Sequence, residues 1–236
     1  MTETRTALVS GVSSGIGLAT AKLLLEQQYR VVGLSRRDAT QTLDHEGFES
    51  VCIDLGQSDR IDRAMDELLS RYEFDCLVHS AGSGQFGSIE QFSTAQIEAS
   101  LQLNLTSAML LGRKLLPGMR RRGHGQLIFL GSESGLSAGR KGALYCAAKF
   151  GLRGFCQALS ADCRADGIRV SLINPGMVRS PFFDELDFRP GMAAENAIEV
   201  EDVARAVVQI LDSSSDIVID EINLSARVKS IDFGRK

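Results

Sequence analysis

Residues 6–17 read Thr6-Ala7-Leu8-Val9-Ser10-Gly11-Val12-Ser13-Ser14-Gly15-Ile16-Gly17. A short β-branched and apolar run ends in a turn carrying three glycines. A helical pattern begins at once, with Leu18, Leu24 and Leu25 among its apolar positions. Glycine reaches φ > 0 and lets a backbone approach a ligand closely. A helix N-terminus behind such a turn offers unpaired N–H groups and the positive end of its dipole. Strand, glycine turn and helix in that order form a seat for a pyrophosphate, contributed by Gly11, Ser13, Ser14, Gly15, Ile16 and Gly17. A purely structural turn is the alternative reading, and the position between first strand and first helix weighs against it.

The same alternation continues outward. Arg30-Val31-Val32-Gly33-Leu34, Ser50-Val51-Cys52-Ile53, Cys76-Leu77-Val78, Gln126-Leu127-Ile128-Phe129-Leu130, Val170-Ser171-Leu172-Ile173 and Ile217-Val218-Ile219 predict strands two to seven. Helical patterns occupy about 15–28, 58–72, 95–121, 144–165 and 200–211, with a loop-rich stretch at 177–197. Strand-helix repetition requires crossovers, and hence a parallel sheet covered by helices on both faces. Strands buried on both faces read as continuous apolar runs, as these do. The fold class is therefore α/β, a doubly wound parallel sheet of about seven strands. Ligands of such sheets lie beyond the carboxyl ends of the strands, where strand order reverses.

The chain has 236 residues, 44% of them hydrophobic and 24% charged, with a net charge of −4. One domain spanning 1–236 is expected at this length. A mildly acidic chain gives no support to nucleic-acid or anionic-membrane binding, so neither partner is expected. The one dense basic cluster, Arg120-Arg121-Arg122, reads as a solvated helix C-terminus. Met1-Thr2-Glu3-Thr4-Arg5 is polar, and no apolar run is long enough to span a bilayer. Five cysteines, at 52, 76, 146, 156 and 163, include no CxxC pair. Buried free thiols, a cytoplasmic location and no metal site are expected.

The second strand runs into Gly33-Leu34-Ser35-Arg36-Arg37. A dinucleotide bearing free ribose hydroxyls needs a carboxylate at this place, and a 2′-phosphate needs a cation. Ser35, Arg36 and Arg37 supply hydroxyl and guanidinium donors, which suit NADP(H). Asp38 stands against that choice. Further along, Tyr145 and Lys149 lie at i, i+4 and share a helix face. A phenol titrates ordinarily near pH ~10, and an adjacent ammonium lowers that value. Ser132 lies thirteen residues before Tyr145, at the end of strand five.

The spacing Gly-x-x-x-Gly-x-Gly, with Ser132, Tyr145-x-x-x-Lys149 and Asn174-Pro175-Gly176-Met177-Val178-Arg179-Ser180, resembles the short-chain dehydrogenase/reductase family and its Rossmann-type fold. The likeness runs over residues 5–222. Ser10 stands where the family has threonine, and Ser180 likewise. The resemblance implies an adenine contact at Asp54-Leu55, for which helix capping is the bland alternative. It implies cofactor contacts from Ser80, Ala81 and Gly82, where His79-Ser80 depart from the family's two asparagines. It implies that Pro175, Gly176, Val178 and Ser180 hold the nicotinamide carboxamide. Asn104 matches a helix asparagine holding a water of the proton relay. Ser132 would orient the substrate oxygen, Tyr145 would move its proton, and Lys149 would bind the nicotinamide ribose and lower the Tyr145 pKa.

The resemblance thus implies an oxidoreductase moving hydride between NADP(H) and a small carbonyl or alcohol, with reduction the expected direction. The substrate loop is expected at 177–197, with Phe182, Phe183, Leu186, Phe188 and Met192 as a lid. Gln85, Phe86, Glu133 and Leu144 are expected opposite, and Arg179 or Arg189 could meet an anionic substrate. Glu221-Ile222-Asn223-Leu224 resembles the tail of small-hydroxy-acid and general carbonyl reductases. Members of the family pair through the helices matching 95–121 and 144–165, which implies a homodimer or homotetramer. Two rivals stand beside this reading: a non-catalytic NADP(H)-binding regulator on the same fold, and an isomerase or epimerase using the same residues.

Overall fold

The computed structural model describes residues 4–234; the polar Met1-Thr2-Glu3 lies outside them. Seven strands form the central sheet: β1 (Thr6–Ser10), β2 (Arg30–Ser35), β3 (Phe48–Cys52), β4 (Cys76–His79), β5 (Gly125–Leu130), β6 (Ile168–Pro175) and, last in the chain, β10 (Glu221–Leu224). Their spatial order is β10-β6-β5-β4-β1-β2-β3, and every pairing is parallel. Strand order reverses between β1 and β4. Helices α1 (Gly15–Glu26) and α6 (Val200–Leu211) cover one face. Helices α2 (Ser58–Arg71), α4 (Ser107–Arg122) and α5 (Ala143–Cys163) cover the other.

The period-two geometry of a strand explains the apolar runs. Ala7 and Val9 pack with Leu24 and Val207 on the α1/α6 side, while Leu8 packs with Ile61 and Leu111 on the other. Successive side chains point to opposite faces, and both faces are covered, so neither may be polar.

Three expectations need correction. The seventh strand is not Ile217–Ile219 but Glu221–Leu224. The apolar triplet only leads up to the sheet edge, and Ile217 is exposed. Polar anchoring sets the register instead: Glu221 pairs with Arg153, Asp220 with Arg164, and Asn223 accepts from Asn174 Nδ2 at 2.9 Å. The long helix expected over 95–121 is α3 (Thr94–Leu101) and α4 joined by a π turn, Gln102–Thr106. The Arg120–Arg122 cluster is only partly solvated. Arg120 pairs with Asp166 at 2.8 Å, and Arg122 donates to the Phe74 carbonyl at 2.6 Å.

The loop-rich stretch holds two short strands, β7 (Val178–Arg179) and β8 (Phe188–Pro190), and β9 (Ile198–Glu199) follows directly after it. Strand β11 (Ile231–Phe233), unanticipated, pairs antiparallel with β8. The chain after β10 thus folds back as a strap. Val228 N–H donates to the Glu195 carbonyl at 2.9 Å, Gly191 N–H to Ser230 at 3.1 Å and Gly234 N–H to Asp187 at 3.0 Å. Four cysteines are buried as expected, and Cys52 is exposed. Among the described residues no helix is long and apolar enough to cross a membrane.

Candidate active site

The loops after β1, β4, β5 and β6 meet at the reversal of strand order. Gly11 (φ 78°) and Gly15 (φ 60°) take left-handed conformations that side chains resist. A Cβ on Gly11 would press on the Ala81 backbone at 3.1–3.2 Å. Ser10 explains the close approach: its Oγ accepts both Ser80 N–H and Ala81 N–H at 3.1 Å each. The hydroxyl retained at this position therefore joins the glycine turn to the loop after β4. Ser14 caps α1 without a side-chain hydrogen bond, and the first turn holds no acidic residue. The first N–H groups of α1 are left for an anion. Ser180 lies over the same turn, its Cβ 3.7 Å from where a Gly15 Cβ would stand.

A Cβ on Gly17 would sit inside the contact distance of the Gly11 carbonyl oxygen. That neighbour is backbone and cannot rotate away. Gly17→Ala should therefore displace the turn and weaken NADPH binding by roughly tenfold or more. Fluorescence titration measures this; an unaltered Kd would mean that the turn absorbs the methyl group.

Ser35 donates to the Arg37 carbonyl at 2.6 Å and so shapes the end of β2. Arg36 and Arg37 are exposed, and neither has an ion-pair partner among the described residues. Asp38 is turned away into its own loop. Its Oδ1 accepts Thr40 N–H at 3.0 Å and Thr40 Oγ1 at 2.6 Å, and these bonds hold its carboxyl below the usual carboxylate range. Asp54 accepts Gly56 N–H at 2.9 Å and Gln57 Nε2 at 3.0 Å, which closes a turn before α2; the helix capping named as its alternative is not made, since α2 follows Gln57 without a side-chain cap bond. Leu55 is buried beside it.

Tyr145 and Lys149 are both buried on α5, the phenol 6% and the lysine 5% exposed. The Lys149 Nζ lies 5.7 Å from the Tyr145 ring centroid and donates to the Leu130 carbonyl at 2.9 Å. It also lies 3.8 Å from where a Gly82 Cβ would stand, which places it beside the loop after β4, itself tied to the glycine turn by Ser10. Burial pushes the Tyr145 phenol well above its ordinary value, and the hydrogen-bonding hydroxyl of Ser132 opposes that rise. Burial also lowers Lys149 to about 8. The expected lowering of the phenol by its ammonium neighbour is not found: burial dominates, and Lys149 is not among the groups that shift it. Ser132 Oγ accepts Ser134 N–H at 3.1 Å, which fixes the serine at the start of a 3₁₀ turn.

Asn104 sits in the π turn and is fully buried. Its Nδ2 donates to the carbonyls of Ser83 at 3.1 Å and Ser100 at 3.0 Å, and its Oδ1 accepts Ser83 N–H at 3.1 Å. The side chain clamps the loop after β4 to the π turn. Asn174 likewise binds Asn223, and Gly176 N–H donates to the Leu224 carbonyl at 2.8 Å.

His79, where the family pattern has asparagine, contacts Ser107 Oγ through Nε2 at 2.9 Å. The Ser107 hydroxyl gives its one proton to the Leu103 carbonyl at 2.7 Å, so His79 is the donor and carries its proton on Nε2. Burial, helped by the Lys149 charge, lowers its pKa to about 3. The native ring is therefore neutral while an unfolded one binds a proton below about pH 6.5. Between these values the unfolded state holds more protons, so stability rises with pH and is lost as pH falls. His79→Asn should make that acid-side slope shallower by about 1.4 kcal/mol per pH unit between pH 4 and 6. Urea unfolding across that range would expose an unchanged slope and with it an error in this assignment.

The lid residues are partly as expected. Phe86 and Phe182 flank the phenol, with ring centroids 5.2 and 5.9 Å from Tyr145. Phe183 and Phe188 close the cluster. Met192 does not join it and is 72% exposed. Arg179 is not free for a substrate: it donates to Glu199 at 3.1 Å and to the carbonyls of Gly191 and Ala193. Glu133 receives Lys229 of the strap at 3.1 Å on both oxygens. Sequence reasoning missed the Ser10 clamp, the Leu130 carbonyl and the strap. For the strap, the apolar–polar–apolar Ile231-Asp232-Phe233 was the available signal.

A family profile described as short chain dehydrogenase matches residues 5–189. An uncharacterized oxidoreductase of Escherichia coli K12, YbbO, is 34% identical over 215 residues, covering 86% of this chain and 80% of that protein. A D-beta-hydroxybutyrate dehydrogenase of Cupriavidus necator is 31% identical, with 100% and 94% covered. The solved structure of a metagenomic short-chain oxidoreductase in complex with NADP superposes with a TM-score of 0.82 at 29% identity, over 95% of this chain and 98% of that one.

Proposed function

The chain belongs to the short-chain dehydrogenase family of oxidoreductases, and on that premise we propose that it transfers hydride between NADP(H) and a carbonyl/alcohol pair, with Tyr145 as general acid and base. The observation that carries this reading is the buried Tyr145–Lys149 pair beside Ser132, set against the loop after β4 that Ser10 ties to the glycine turn.

The residues fit NADP(H). The uncapped N-terminus of α1 and the glycine turn suit a pyrophosphate, as the sequence spacing implies. Two arginines with no ion-pair partner among the described residues follow β2, with the neighbouring carboxylate bound elsewhere, which favours a 2′-phosphate. The NADP held by the related solved structure agrees with that choice. When bound, the nicotinamide supplies or accepts the hydride.

The chain's own groups handle the proton. Ser132 donates to the substrate oxygen and polarises the carbonyl. Burial keeps the Tyr145 phenol protonated at neutral pH, so it is ready to give its proton to that oxygen. This favours reduction. Lys149, anchored on Leu130, holds a positive charge on the far side of the phenol and stabilises the phenolate left behind. Asn104 keeps the loop of Ser80, Ala81 and Gly82 in place. The chain acts as one cytoplasmic domain, paired through α4 and α5 into a dimer or tetramer.

A cofactor-oxidation screen tests the proposal. NADPH and NADH are offered with aldehydes, ketones, keto acids and quinones. NADPH oxidation dependent on a carbonyl is the expected result. Tight NADPH binding without turnover of any of them would favour a non-catalytic regulator.

A further inference from the structure

We infer that the substrate is a neutral carbonyl carried on an aryl or extended alkyl group, rather than a small oxo or hydroxy acid. The inference rests on the hydride-transfer reading and deepens it. It starts from what surrounds the phenol. Phe86 and Phe182 both pack on Tyr145, Phe188 meets Phe86 edge-on at 4.9 Å, and Phe183 lies 5.8 Å from Phe188. Gly84 is small because a Cβ there would meet the rings of Phe182 and Phe86 at 2.7–2.9 Å. A carbonyl presented to Tyr145 and Ser132 has its substituents among these rings. Apolar groups gain there, whereas a carboxylate would lose its hydration with no compensating partner.

The cations that could compensate are otherwise engaged. Arg179 is held by Glu199 and two carbonyls. Lys229 is neutralised by Glu133. Arg189 follows Phe188 in β8, so it projects from the opposite face, where Asp232 is its cross-strand neighbour. Lys141 is exposed to water, where its charge is screened. Lys149 is committed to Leu130.

The strap supplies an independent observation. It pins β8 and carries Phe233 opposite Phe188. Phe233 is 75% exposed and Ile231 39%, so apolar surface continues outward from the ring cluster. A substrate longer than the cluster would meet more apolar surface at its mouth.

The test measures kcat/KM with NADPH for butanal, hexanal and decanal, and for acetoacetate against its neutral methyl ester. Each buried methylene should raise kcat/KM about fourfold until the cluster is filled. Decanal should exceed butanal by at least tenfold, and the ester should exceed the acid by at least tenfold. Phe188→Ala should shrink the decanal/butanal ratio. Phe188→Leu, which keeps an apolar residue in β8, serves if the alanine variant does not fold. Insensitivity to chain length, or preference for acetoacetate, overturns the substrate class while leaving hydride transfer standing. No NADPH oxidation with any carbonyl would remove both.

Discussion

Tyr145→Phe should lower kcat by about 10²- to 10⁴-fold, the usual worth of a positioned general acid. The phenol is buried and stays protonated at neutral pH, with the Ser132 hydroxyl opposing the rise that burial causes. Phenylalanine keeps the ring and its packing on Phe86 and Phe182, so thermal stability should be largely maintained. The Kd for NADPH should stay within about threefold, because the turn at Gly11–Gly17, the Arg36 guanidinium and Lys149 are untouched. Single-turnover kinetics and a binding titration separate these effects. Turnover surviving at the parental rate would remove Tyr145 from the mechanism. A large loss of NADPH affinity would point to a mainly structural role.

Arg36→Asp should change the ratio of NADPH to NADH dissociation constants by roughly 10²-fold in favour of NADH, about what two charge-assisted hydrogen bonds contribute. The reversal acts twice: it removes a cation from the 2′-phosphate and supplies an acceptor for a ribose hydroxyl. Arg36 is exposed and has no ion-pair partner among the described residues, so the fold should not change. The preference of the parent protein should also weaken with salt, since an exposed charge is screened. Arg37 stands beside it, and Arg36→Asp/Arg37→Ala gives the larger shift if both reach the phosphate. A ratio unaffected in both variants would assign the 2′-phosphate to other residues.

Much of the site was legible because its parts are local. The glycine turn is a contiguous run whose conformation follows from its own residues. Tyr145 and Lys149 share a face because a helix repeats every 3.6 residues. The last strand was misplaced because Ile217–Ile219 looks like a strand by itself. The partners Arg153, Arg164 and Asn174, distant in sequence, set the register four residues later. Asp38 was ambiguous for a similar reason: only its hydrogen bonds to Thr40 show where the carboxylate points. Met192 and Arg179 were misread because apolarity and charge mark what a side chain prefers, not which neighbour it reaches.

The sequence by itself determined the alternation of strands and helices, the glycine turn, and the order of the candidate residues, since each rests on periodicity or on a short run. Tertiary structure alone decided the protonation of the site and the shape of its mouth. Desolvation raises Tyr145 and lowers Lys149 and His79 because elements distant in sequence exclude water from them. The aromatic wall brings Phe86 together with Phe182, Phe183 and Phe188, and the chain returns as β11 to pair with β8, which carries Phe188. Burial and non-local pairing are properties of the assembled chain, and no window of sequence contains them.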